Sequence, residues 1–194
     1  MARALDAWWQ ELGRPSRFVV VEAGAGPGTL ARTILAARPA CADALDLVLV
    51  EVGETQWASH PSGTSSRIDF PAPGEHGDGP VIVLANELLD NLPVALAERT
   101  GGTWAEVVVT TEAGDDRLVF GHRSLPDAQR QWCDRHAPHA RDGARIPVQA
   151  EAAAWLRDAL ALPGPHGGRV VAIDYARTTA ELASRPMGAW LRTY

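Results

Sequence analysis

Apolar positions along the chain follow two rhythms. Leu5, Trp8, Trp9 and Leu12 recur at helical spacing, so residues 3–12 predict an amphipathic helix that Gly13 and Pro15 end. Residues 18–21 form a short apolar run, the pattern of a buried strand, and residues 29–37 return to helical spacing at Leu30, Ile34 and Leu35. A second strand at 45–52 completes a strand, helix, strand unit of about the shortest crossover length. The stretch 59–80 is rich in Pro, Gly and Ser and reads as loop, with a short third strand at 67–70. Residues 81–85 are apolar throughout and predict a fourth strand covered on both faces. A helix at 149–160 and a fifth strand at 169–175 follow. Between the fourth and fifth strands the texture changes: residues 104–111 and 117–122 predict two antiparallel strands joined at Gly114 and Asp115, a β-hairpin insertion spanning about 95–148. Alternating strands and helices predict an α/β fold with an open, mostly parallel sheet, and a single domain over residues 1–194.

Composition narrows the functional classes. The 194 residues are 46% hydrophobic, enough for one substantial core. The net charge of −6 and pI near 5.5, without any basic run, give no attraction to nucleic acid or to an anionic membrane. All eighteen cationic side chains are arginine. Cys41 and Cys133 form no Cys-x-x-Cys pair and lie far apart, which fits a reducing compartment. The first twelve residues carry Asp6 and Glu11 and do not read as a signal peptide, and no apolar run approaches the ~20 residues of a membrane span. The expectation is a cytoplasmic protein. Cys133, His136 and His139 share a Cys-x-x-His-x-x-His spacing but show no fourth ligand, so they read as exposed loop residues, with no metal site.

The chemistry concentrates in Glu22-Ala23-Gly24-Ala25-Gly26-Pro27-Gly28, directly after the first strand. Glycines in a strand-to-helix turn allow positive φ and close approach of a ligand to the backbone, although a tight turn alone could also use them. A phosphate-gripping Gly-Lys-Ser/Thr loop is excluded because the chain has no lysine. Counted from Gly24, the dinucleotide pattern Gly-x-Gly-x-x-Gly would need glycine at Thr29, and the third glycine stands one position early. An acid at Glu22 opposes a pyrophosphate and suits a cation. S-adenosylmethionine is such a ligand, with a sulfonium, an ammonium and no phosphate. Glu51, 29 positions on at the end of the second strand, stands where a carboxylate takes ribose hydroxyls.

The run Ala85-Asn86-Glu87-Leu88-Leu89-Asp90-Asn91-Leu92-Pro93-Val94 resembles the Asn-Glu-x-x-Asp-x-Leu-Pro signature of the MidA-like S-adenosylmethionine-dependent methyltransferases. The stretches EAGAGPGTL, LVEVGETQ, WAEVVV, VVAIDYA and GAWLRTY agree in order and spacing, so the resemblance covers nearly the whole chain. It implies a class I methyltransferase, Rossmann-like fold and S-adenosylmethionine as cofactor, with protein arginine as the acceptor in the mitochondrial members that serve assembly of respiratory complex I. It further implies that Glu22, Gly24, Gly26 and Gly28 line the methionine part, that Glu51 takes the ribose, and that Asn86 and Glu87 face the transferred methyl. Glu87 and Asp90 become candidates for orienting a guanidinium; the same spacing also suits a helix start with Asn86 as cap. Asp174 and Tyr175 end the fifth strand as either site residues or ordinary strand-end residues. Asn91, Ala176 and the Ala-Trp-Leu-Arg of the last motif depart from the family pattern. Relative to the family the chain reads as a short form lacking the C-terminal closing hairpin, which leaves the fifth strand as an exposed edge open to a second copy. Two other readings stay open: a catalytically silent, cofactor-binding assembly factor, and an NAD-dependent oxidoreductase.

Overall fold

A computed structural model describes residues 1–77, 79–112, 116–163 and 167–191. In chain order the elements are α1 (Ala2–Glu11), β1 (Phe18–Ala23), α2 (Thr29–Ala36), β2 (Leu45–Val50), β3 (Thr64–Arg67) and β4 (Val81–Asn86). Then come β5 (Ala95–Thr100), β6 (Thr103–Thr111), β7 (Leu118–Ser124), α3 (Asp127–His136), β8 (Arg145–Val148), α4 (Ala150–Ala161), β9 (Gly168–Ile173) and α5 (Thr179–Ala183). The chain divides into two compact units, Met1–Asn91 with Ala154–Tyr175, and Leu92–Ala153 with Ala176–Tyr194.

The first unit holds a five-stranded parallel sheet in the order β3-β2-β1-β4-β9. Alternation sorts its core into two layers. Phe18, Val20, Leu47, Leu49, Ile82 and Leu84 pack with Leu5 of α1 and with Ala31 and Ile34 of α2. Val19, Val21, Val48, Val50, Val81 and Val83 face the other way, onto Ala159 and Leu162 with Trp155 and Phe70 beside them. Every residue of β1 is buried, which is why its Phe18–Val21 reads as an unbroken apolar run. The predicted strand at 67–70 is displaced: β3 is the polar Thr-Ser-Ser-Arg before it, an outer strand held by its parallel ladder to β2, while Phe70 packs into the core beyond it.

The second unit is an antiparallel sheet in the order β7-β6-β5-β8, so the inserted region carries more than one hairpin. The pair β6 and β7 matches the two strands predicted at 104–111 and 117–122, while the turn at Gly114 and Asp115 lies outside the described residues. β5 and β8 are additional. β5 turns into β6 through Gly101 and Gly102, both at positive φ (57° and 78°), the two-residue hairpin geometry that glycine favours. Pro147 sits in β8, an outer strand, where a missing N–H is tolerated. Ala97, Trp104, Ile146 and Val148 form the core of this unit with Leu125, Cys133, Ala137 and, from α5, Leu182 and Ala183. Cys133 and His136 are not loop residues as the sequence reading had them. They lie on α3, where Cys133 is fully buried, its thiol pushed up to about 11 by that burial, and His136 stacks on Trp132 with ring centroids 4.6 Å apart. Among the described residues no group of His, Cys, Asp and Glu is arranged to hold a metal, and no helix is long and apolar enough to cross a membrane.

Candidate functional site

The glycine loop leaves the C-terminal end of β1 and enters α2, with Gly24, Gly26 and Gly28 all in the left-handed region at φ 69°, 53° and 74°. The N–H groups of Gly24 and Ala25 both donate to the Val50 carbonyl at the end of β2, at 2.9 and 3.1 Å, which folds the loop back over the sheet edge. The three glycines answer to different neighbours. A Cβ on Gly24 would stand 2.9 Å from Cδ1 of Leu88, so this glycine makes room for the segment after β4. One on Gly26 would meet nothing within 4 Å, leaving open space above the loop's central peptide, and one on Gly28 would crowd His60 and Pro61.

Two carboxylates flank the loop in different states. Glu51 directly follows β2; its Oε2 accepts the Gly26 N–H at 2.8 Å and its Oε1 the Gly53 N–H at 2.7 Å, leaving further lone pairs for a ligand. Its own carbonyl accepts from Trp57 Nε1 at 3.0 Å. Glu22 lies on β1 beneath the loop, 5% exposed, and its Oε2 has no hydrogen-bond partner among the described residues. Burial pushes its carboxyl up to about 7, against a smaller opposing effect of the Ala31 N–H in the first turn of α2.

The segment after β4 is shaped by backbone strain and one carboxylate. Glu87 adopts φ 51°, an uncommon conformation for a residue with a Cβ, and its N–H donates to the Ile173 carbonyl at 2.8 Å. Asp174 then receives two N–H groups, Leu89 on Oδ2 at 2.7 Å and Tyr175 on Oδ1 at 2.8 Å, strapping the end of β9 to this turn. No α-helix starts here, so Asn86 is no helix cap. The chain makes a short 3-10 turn, Leu89–Asn91, and Asn86, Glu87 and Asp90 are exposed. Asn91, which departs from the family pattern, donates its side-chain amide to the Glu87 carbonyl and to Asp90 Oδ1, both at 2.9 Å.

The fold thus gathers Glu22, Gly24, Gly26, Gly28 and Glu51 around one loop and brings Leu88, from the Asn-Glu-x-x-Asp motif, against Gly24. One contributor escaped the sequence reading, and another was left open in it as either a site residue or an ordinary strand-end residue. His60, in the polar stretch after β2, contacts Gly26 across 34 positions, and Asp174 reaches Leu89 across 85. His60 leaves no local pattern, whereas Asp174 was singled out with Tyr175 by its place at the end of a strand, its partner Leu89 unforeseen.

Comparison with known proteins places the fold. A crystal structure of an uncharacterised protein from Burkholderia thailandensis superposes with TM-score 0.69 at 24% identity, over 96% of this chain and 51% of that one. A second crystal structure, of a member of the same superfamily from that organism bound to S-adenosyl-homocysteine, gives TM-score 0.64 at 24% identity, over 83% of this chain and 42% of that one. The chain therefore spans about half the length of the solved structures it resembles. No curated protein matches it. A family profile matches residues 1–194 throughout, and on that match the chain belongs to the family described as "Putative S-adenosyl-L-methionine-dependent methyltransferase".

Proposed function

We propose that this chain binds S-adenosylmethionine at the glycine loop and serves methyl transfer to a protein, with arginine as the acceptor, as in the MidA-like proteins it resembles. The observation that carries the reading is the pair of acids at the ends of β1 and β2 around a loop of left-handed glycines, with open space over Gly26. A buried acid whose Oε2 has no partner among the described residues disfavours a pyrophosphate and favours a cation, and Arg32 of α2 directs its guanidinium to the carbonyls of Pro27 and Ser59. In this reading Gly24, Gly26 and Gly28 bring the backbone to the methionine part, a bound cation draws the proton off Glu22 so that its carboxylate supplies a negative field from below, Glu51 takes the ribose hydroxyls on its remaining lone pairs, and Asn86 borders the methyl.

When bound, S-adenosylmethionine supplies a methyl on a sulfonium, and transfer to nitrogen breaks one C–S bond and makes one C–N bond. The chain's own task is alignment. Glu87 and Asp90 hold the guanidinium by charge-assisted hydrogen bonds so that one nitrogen stays free to attack, and the proton that nitrogen sheds passes to the Glu87 carboxylate. Their exposure suits an acceptor side chain presented by another protein, and the two unpaired, buried thiols suit the cytoplasm. Calorimetric titration with S-adenosylmethionine, S-adenosyl-homocysteine and NAD side by side tests the cofactor, and radiolabelled methyl transfer to arginine-bearing proteins tests the acceptor. Binding of NAD in preference would overturn the reading. Cofactor binding without transfer to any acceptor would assign the chain to the silent assembly-factor class.

A further inference from the structure

The central residue of the glycine loop, Gly26, is held on both sides. The two peptide groups that flank Gly26 carry these holds: the Gly26 N–H, on the peptide before it, goes to Glu51 Oε2 at 2.8 Å, while the Gly26 carbonyl, on the peptide after it, lies 2.8 Å from His60 Nε2. A carbonyl oxygen only accepts, so Nε2 carries the hydrogen. The other ring nitrogen, Nδ1, is 2.7 Å from Ser66 Oγ on β3, and that hydroxyl can give to a bare Nδ1 or take from a protonated one, so the bond to Gly26 holds in either state of the ring. The segment bearing His60 is itself tied down: Trp57 Nε1 donates to the Glu51 carbonyl, Arg32 Nη1 donates to the Ser59 carbonyl at 2.6 Å, and Pro61 lies against the Gly28 backbone.

We infer that His60 is a positioning residue for the cofactor loop, fixing the Gly26 carbonyl while Glu51 fixes the N–H, so that the loop stands ready before a ligand arrives. Three glycines in a row of seven residues make this loop the most freely jointed part of the site, and ordering such a backbone on binding would cost affinity. Holding it in advance removes that cost. The inference rests on the reading that this loop holds S-adenosylmethionine. It adds a residue outside the glycine loop, the two strand-end acids and the Asn-Glu-x-x-Asp motif, drawn from a polar stretch with no periodicity.

The test compares wild type, His60→Ala, His60→Gln and Ser66→Ala by calorimetry with S-adenosyl-homocysteine, by melting, and by amide hydrogen exchange of residues 24–28. His60→Ala should weaken binding about tenfold, the loss of roughly one net hydrogen bond, and speed exchange in the loop while the melting temperature barely moves. His60→Gln, whose amide can donate to the same carbonyl, should recover most of the affinity, a rescue that a packing role alone would not give. Ser66→Ala keeps the ring but frees its orientation and should weaken binding about threefold, which decides the matter if His60→Ala fails to fold. Wild-type affinity in His60→Ala, no rescue by glutamine, or no effect of Ser66→Ala in place of an unfolded His60→Ala would each overturn the inference. If wild type binds no S-adenosyl-homocysteine, the proposed function falls, and the exchange rates judge His60 alone: unchanged protection of residues 24–28 in His60→Ala overturns its role.

Discussion

Glu22 couples the folded state to pH. Its carboxyl is raised by burial to about 7 from an ordinary 4.5, so the native chain keeps a proton that the unfolded chain has lost between those values. The contribution is fully present below pH 4.5 and is lost as pH rises through 7, a slope worth about 3 kcal/mol. Glu22→Gln should flatten that slope and be the more stable protein at pH 8, read from urea midpoints across pH; parallel slopes for the two proteins would show that the acid is not titrating there. At Glu51 we expect Glu51→Ala to weaken S-adenosylmethionine binding by roughly 1.5–3 kcal/mol, because the proposed ribose contacts and the anchors of Gly26 and Gly53 go together. The glycines separate stability from binding. Gly24→Val drives a side chain into Leu88 and should lower the melting temperature, whereas Gly26→Ala points a methyl into open space. The latter should fold at a cost of about 1–2 kcal/mol and bind poorly, and undiminished titration of Gly26→Ala would move the ligand off this loop.

Among the elements, the turn between β4 and the 3-10 segment stores strain at the place where the acceptor is proposed to sit. Glu87→Gly would relieve the left-handed conformation and stabilise the fold by about 1 kcal/mol while removing the acceptor's carboxylate, so melting temperature should rise as methyl transfer falls. Asp174→Ala leaves the Leu89 N–H without its partner and should cost about 1–3 kcal/mol, with Asp174→Asn recovering much of it. A melting temperature unchanged in Asp174→Ala would show that the strap bears no tension. What was legible in the sequence follows burial. β1, β2 and β4 announce themselves because both faces are covered, and the glycine loop and Glu51 are legible because they sit at the ends of those strands. β3 is polar and owes its existence to its ladder with β2. β5 reads Ala-Leu-Ala-Glu-Arg-Thr, a composition that suits a helix, and the Gly101-Gly102 turn was the overlooked sign of a strand. His60 and Asp174 act through contacts that only the tertiary fold creates.

For the whole molecule, the outer strand β9 pairs with β4 alone among the described residues. Its sequence, Gly-Arg-Val-Val-Ala-Ile, has no proline, and Ile173 is half exposed, so we expect the edge to draw a second copy at high concentration. Sedimentation should show self-association that Ile173→Lys abolishes; equal behaviour of the two proteins would place any contact elsewhere. The same β4 and β9 pairing sets an order of events in folding. The two strands are neighbours in the sheet, yet residues 87–167 lie between them in the chain. Closing so long a loop costs about 2 kcal/mol more entropy than closing one of ~10 residues, while β1, β2 and β4 follow one another through the shorter links 24–44 and 51–80. β9 should therefore dock last, with Val170 and Val171 gaining exchange protection in a slower phase than Val20 and Val21 during refolding. Gly24 to Gly28, Glu51, His60 and Ser66 all precede that step in the chain, whereas the bond from Leu89 to Asp174 must wait for it. On a ribosome, a nascent chain would complete the half proposed to bind the nucleoside before the turn proposed to meet the acceptor is drawn into shape.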